Sequence, residues 1–414
     1  MKKLVAIAIA LISIAGMLSA QKLEMYYYKQ ENQDGLKKLV AEFMKDNPGI
    51  QISMLIIPND ADATMSARAA QGQLSDILQM QSYSRVFEYA KKGYLVDLSK
   101  QPVLGKVIDG AKPAVTWNGK QWALPMDFAG IGIIYNKDIF ARYGLKAPTT
   151  YRELQSVCRT LQDKGMTPFA GLLKANWSMG HFITLVQTTL LAEKKINPSS
   201  FVADMNAGKT SFGVVDTAKL FSIMDFYRAN MDKDAQEMDW DQQQAEFANG
   251  KAAMMVQGLW SYGAAIGTNP KLNCGFVPFP VYNDASMNKF YADVDSCFGV
   301  SAQSSPEKRA AALKFLEWLS TAKARQIWVT DYKLTSTFKG ADVSALGGPF
   351  VDLMTTVNKK GSYPWAFAAY PTAVFEDACK NGAQQYMFGK KSAGDVIADI
   401  DKEWATEIAK TAGN

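Results

Sequence analysis

The sequence predicts an α/β protein of mainly parallel sheets covered by helices, divided between two lobes or domains. Three observations carry that expectation. The chain has 414 residues, and at roughly 150 residues per domain it exceeds one small module. Hydrophobic residues make up 48% and charged residues 21%; that composition fills large cores and excludes disordered, collagen-like and disulfide-dense chains. Strand and helix patterns alternate from Leu23 onward, the rhythm of a parallel sheet covered by helices.

The elements follow in order. Met1-Lys2-Lys3, an apolar run to about Leu18 and then Ser19-Ala20-Gln21 read as a secretory signal peptide over residues 1–20. The run is shorter than the ~20 residues that span a bilayer comfortably, which weighs against an N-terminal membrane anchor. Gln21 stands where a bacterial lipoprotein would need the cysteine that carries its lipid. The expectation is a free periplasmic or secreted protein. Leu23 to Tyr28 reads as a strand. Leu36, Leu39, Val40 and Phe43 recur at helical spacing until Pro48-Gly49 breaks the pattern. Ile50 to Ile57 is a second strand rich in β-branched residues. A helix from about Ala61 to Gln71, a strand from Asp76 to Gln81 and a helix from Ser82 to Lys92 complete the βαβαβ run. Thr150 with Glu153 makes a capping box, and Gly165 ends that helix. Ser305 before Pro306 opens another.

Composition removes several chemistries. The net charge is +5, from 45 basic and 40 acidic residues, with no concentrated basic patch of the kind that binds nucleic acid. His181 is the one histidine, too few for a His-based metal site, and no G-x-S-x-G surrounds a serine. Gly208-Lys209-Thr210 lacks the upstream glycine of a phosphate loop, since position 203 is Ala203. No catalytic group, metal or cofactor is expected. Of four cysteines, Cys158 and Cys379 sit in helical patterns as buried thiols. Cys274 and Cys297 flank two strand-like runs and could form a cross-strand disulfide.

Five segments, in order, resemble the extracellular solute-binding proteins of sugar ABC importers, the maltose-binding-protein-like family. They are Phe43-Met44-Lys45-Asp46-Asn47-Pro48-Gly49-Ile50, Gly72-Gln73-Leu74-Ser75-Asp76-Ile77, and Leu124-Pro125-Met126-Asp127 running to Tyr135-Asn136-Lys137-Asp138. The others are Phe247-Ala248-Asn249-Gly250-Lys251-Ala252-Ala253-Met254 with Gly258-Leu259-Trp260, and Phe298-Gly299-Val300-Ser301. Ser75 departs from the family's usual proline. The resemblance implies a type II periplasmic-binding-protein fold: two α/β lobes joined by hinge crossings, with ligand in the cleft between them. It places lobe 1 at residues 21–130 and 294–342, and lobe 2 at 131–293 and 343–414. The crossings fall near Phe128–Gly132, Val294–Ser296 and Gly340–Leu346. Gly130 and Gly132 make a hinge or a close backbone approach cheap at the first.

A sugar presents apolar C–H faces, which an aromatic ring covers, and hydroxyls, which amides and carboxylates meet. Ligands of open α/β sheets sit beyond the carboxyl ends of strands. That places Gln30 and Glu31 after the first strand and Gln81 and Ser82 after the third. Asn176 and Trp177 precede an apolar helix. The resemblance adds Asp127 and Asp295 at the crossings, with Trp260 and Trp365 where the family places stacking aromatics. His181, beside Phe182, reads as a packed histidine. The expected partners are a mono- or oligosaccharide and the permease subunits of an ABC importer, with the protein itself a monomer. Two alternatives remain open: a secreted glycoside hydrolase using Asp127 and Asp295, and the same fold holding another solute such as a polyamine.

Overall fold

The structure, a computed structural model, describes residues 20–29, 33–57 and 61–412. The candidates Gln30 and Glu31 lie outside these, as does the expected export signal apart from Ala20. The strands are β1 (Gln21–Tyr27), β2 (Ile50–Ile56), β3 (Ile77–Gln81), β4 (Thr116–Trp117), β5 (Lys120–Gln121), β6 (Leu124–Pro125) and β7 (Phe128–Asn136). They continue with β8 (Thr167–Phe169), β9 (Ala252–Gly258), β10 (Cys274–Val277), β11 (Phe290–Val294), β12 (Ser296–Val300) and β13 (Ser362–Tyr363).

Two sheets organise the chain. The first has the order β2-β1-β3-β12-β6. Its β1, β2 and β3 pair in parallel, because helices Gln33–Asp46 and Ala61–Ala70 return the chain between them. Leu36, Leu39, Val40 and Phe43 of the first helix face Leu23, Met25 and Tyr27 of β1 in one core. Phe43 packs edge-on against Phe315 of helix Pro306–Trp318, ring centroids 5.0 Å apart. Ser305 caps that helix by accepting the Lys308 N–H.

The second sheet runs β13-β11-β7-β9-β8, with β10 also on β7. Strand β7 is its axis and pairs antiparallel with β9, β10 and β11. Ile131 and Ile133 of β7 enter a core shared with Phe182, Tyr227 and Trp404. The Thr150 capping box forms as the spacing requires, and Gly165 takes a φ of 69°, in the left-handed region open to glycine.

The chain leaves the first sheet at Pro125 and enters the second at Phe128, so the crossing is Met126–Asp127 and the whole run Phe128–Gly132 belongs to β7. At Gly130 and Gly132 the close approach is the alternative the neighbours display. A Cβ on Gly132 would lie 2.4 Å from the Val277 carbonyl, and one on Gly130 2.6 Å from Leu353. The return crossing is Asp295, between β11 and β12. Phe338 packs in the first core and Leu346 in a core of the second lobe, so the third passage lies between them. Cys274 is on β10 of the second sheet and Cys297 on β12 of the first, so they are not cross-strand neighbours. All four cysteines are free and buried. No helix among the described residues is long and apolar enough to cross a membrane.

Candidate ligand-binding cleft

A cleft of about 280 Å³ opens between the two sheets. Its first wall comes from the carboxyl ends of β1 and β3: Tyr28 and Lys29 after β1, Gln81 at the end of β3, and Ser82 just beyond it. Asp295, in the crossing, joins this lining. The opposite wall belongs to the second lobe and is almost wholly aromatic: Trp177, His181, Trp240, Trp260, Trp365 and Phe367, with Lys380 at its edge.

The aromatic wall is built by helix starts. Trp177 and His181 are one turn apart on helix Asn176–Leu191 and so share a face. Trp240 and Trp260 are each the first residue of a helix, Trp240–Ala248 and Trp260–Thr268. The rings follow one another: Trp240 to Trp177 is 5.6 Å between centroids, Trp177 to His181 5.7 Å, His181 to Trp260 5.9 Å and Trp260 to Trp365 6.1 Å. Trp365 is buried, and its indole N–H donates to the Tyr291 carbonyl at 2.8 Å. Its stacked neighbour Phe367 lies 5.5 Å away. Gly258 is glycine because of this wall: a Cβ there would meet the Trp260 ring at 2.2 Å.

The polar wall is largely occupied with itself. The buried Lys29 ammonium donates to Asp295 at 2.5 Å and to Asp127 at 3.4 Å. Asp127 also accepts the Ser296 N–H at 2.9 Å and the Ser296 hydroxyl at 2.5 Å. The Ser82 hydroxyl donates to the Val294 carbonyl at 2.7 Å. Lys380 is paired with Glu376 and sits over the Phe375 ring. Burial, then the nearby Lys380 charge, depress the His181 imidazole to about 3, so it is neutral at physiological pH and can both donate and accept.

Of the residues singled out from the sequence, the cleft brings together Gln81, Ser82, Trp177, Trp260, Asp295 and Trp365. Asp127 is a buried structural link beneath the cleft rather than part of its lining. Asn176 points elsewhere, its amide donating to Asn381 at 2.7 Å. Sequence reasoning missed Tyr28, Lys29, Trp240, Phe367, Ala368 and Lys380, and read His181 only as packing. Signals existed for two of these. His181 follows Trp177 at the i, i+4 spacing of one helix face. Trp240 follows Asp239, whose capping box with Gln242 marks a helix start.

The chain is 27% identical over 309 residues to the multiple sugar-binding protein of Streptococcus mutans, covering 73% of this chain and 72% of that one. Among solved structures, the fold matches that of a solute-binding protein in complex with raffinose, with a TM-score of 0.79 and 20% identity over 94% of this chain and 99% of the other. It also matches a chitin oligosaccharide binding protein, with a TM-score of 0.80 and 18% identity over 94% and 100%. These likenesses establish the two-lobed type II fold. Residues 29–326 match the model of the bacterial extracellular solute-binding proteins, and the chain belongs to that family.

Proposed function

We propose that this protein is the exported substrate-binding component of a sugar ABC importer. It takes a mono- or oligosaccharide into the interlobe cleft, closes on it and delivers it to a membrane permease, acting as a monomer without cofactor. The observation that carries this reading is the row of four indoles, Trp240, Trp177, Trp260 and Trp365, set opposite Gln81 and Asp295. Sugar C–H faces stack on the rings, and hydroxyls meet the amide and carboxylate. The binding partners named for the relatives, multiple sugars, raffinose and chitin oligosaccharide, are the same chemistry.

Neither alternative gains from the site. The two carboxylates of a hydrolase would be Asp127 and Asp295, and both hold the Lys29 ammonium. A general acid must carry a proton to donate, whereas these two are arranged as acceptors. A polyamine needs an acidic cage, yet among the described residues the charged groups lining the cleft are Lys29, Lys380 and Asp295. Isothermal calorimetry against a panel of neutral oligosaccharides tests the reading. A match is expected, with Trp260→Ala weakening it about tenfold or more while the fold is kept, since a lost stacking ring removes roughly 1.4 kcal/mol. Unchanged affinity in that variant removes Trp260 from the site, and hydrolysed sugar in the cell would overturn the binding-only reading.

A further inference from the structure

Beside the indole row, one buried carboxylate ties the lobes together. Asp293 lies in β11, one residue before its end at the crossing. Its oxygens accept the Tyr83 hydroxyl at 3.0 and 3.1 Å, the Val294 N–H at 2.8 Å and the Trp365 N–H at 3.2 Å. No ammonium or guanidinium of the described residues pairs with it. Burial pushes its carboxyl up, against the pull of these donors.

Tyr83 reaches Asp293 from the other lobe. It follows β3, and its ring packs against the cores of both lobes. Its backbone stands at φ 57° and ψ −112°, a region costly for a residue with a side chain. Such strain persists only where its surroundings impose it. The Tyr83 N–H is fixed on the Ala114 carbonyl at 2.7 Å, and Ser82 is tied to Val294 across the same seam. The strained turn therefore aims the phenol across the interlobe gap, at the carboxylate that also holds the Trp365 backbone.

We infer that Tyr83 and Asp293 form a brace that sets the angle between the lobes and orients Trp365, which makes Asp293 a positioning residue for ligand capture. The Trp365 part rests on the reading of the cleft given above; the angle between lobes does not. Without the brace the lobes sample a wider range of angles. Apparent affinity then falls by the fraction of molecules left in the binding geometry.

The test uses the full chain with spin labels on Lys45→Cys in the first lobe and Lys402→Cys in the second. Both positions are exposed, and the four native thiols are buried, so labelling is selective. Tyr83→Phe keeps the ring and removes the hydroxyl; Asp293→Asn keeps the shape. Pulsed electron resonance of the ligand-free protein is expected to show a broader interlobe distance distribution in each variant. The dissociation constant for a bound sugar is expected to rise about tenfold, with the double variant no worse than the worse single one. An unchanged distribution in Tyr83→Phe, folded by circular dichroism, overturns the brace whatever Asp293→Asn does. A broadened distribution with unchanged affinity overturns the positioning role alone. Failure of every sugar to bind the unmodified protein sinks the sugar reading, while the distance measurement still decides the brace.

Discussion

His181 shows how one residue can be legible in type and illegible in place. Its count alone argued against metal and triad chemistry, but its neighbours in sequence are apolar and hid its position on the cleft wall. Its titration gives a prediction. The folded imidazole is depressed to about 3, whereas an unfolded one takes up a proton below about 6.5. Between those values the unfolded chain binds more protons, so stability is full above about pH 6.5 and falls as pH drops toward 3. His181→Gln should flatten that part of the decline, read as the thermal midpoint between pH 7 and pH 4. An identical slope in the variant would mean that the imidazole is accessible to protons in the fold. Lys29 was passed over for a related reason: its partners Asp127 and Asp295 are distant in sequence, and only the crossings bring them to one ammonium.

At the scale of elements, local signals worked where the cause is local. Caps at Thr150 and Ser305 formed as the spacing requires because a cap concerns four adjacent residues. The β1–β3 run was readable from its alternating periods. The antiparallel pairing of β7 with three strands was not, since register depends on partners more than a hundred residues away. The two glycines of β7 left a hinge and a close approach both open in the sequence, because glycine allows either, and their neighbours show the close approach. Gly258, at the end of β9, offers a cleaner test. Ala there must displace the Trp260 ring. Gly258→Ala should weaken sugar binding and change the near-ultraviolet circular dichroism of tryptophan while the far-ultraviolet spectrum holds. Full affinity would show that the ring can shift without cost to the site.

For the whole molecule, the two-lobed plan was legible because five separated motifs keep their order, and order survives where single residues drift. The disulfide reading failed because flanking runs look like neighbours in sequence while the sheets that take them differ. The four thiols are buried and free, and burial pushes Cys158 and Cys274 up to about 12. A thiol so far from its thiolate is a poor nucleophile. A thiol reagent should therefore find none of the four rapidly in the native protein and all four after denaturation. Rapid modification of even one would place it at an opening in the fold.

The interleaving also fixes an order in time. Strand β12 lies inside the first sheet, between β3 and β6, yet it is supplied by residues 296–300. A nascent chain that has emerged only as far as β11 holds a first sheet split in its middle and a second sheet still lacking β13. Neither sheet is complete without residues beyond β11, since the first needs β12 and the second β13. A chain cut short anywhere before β12 leaves no intact lobe to survive a protease.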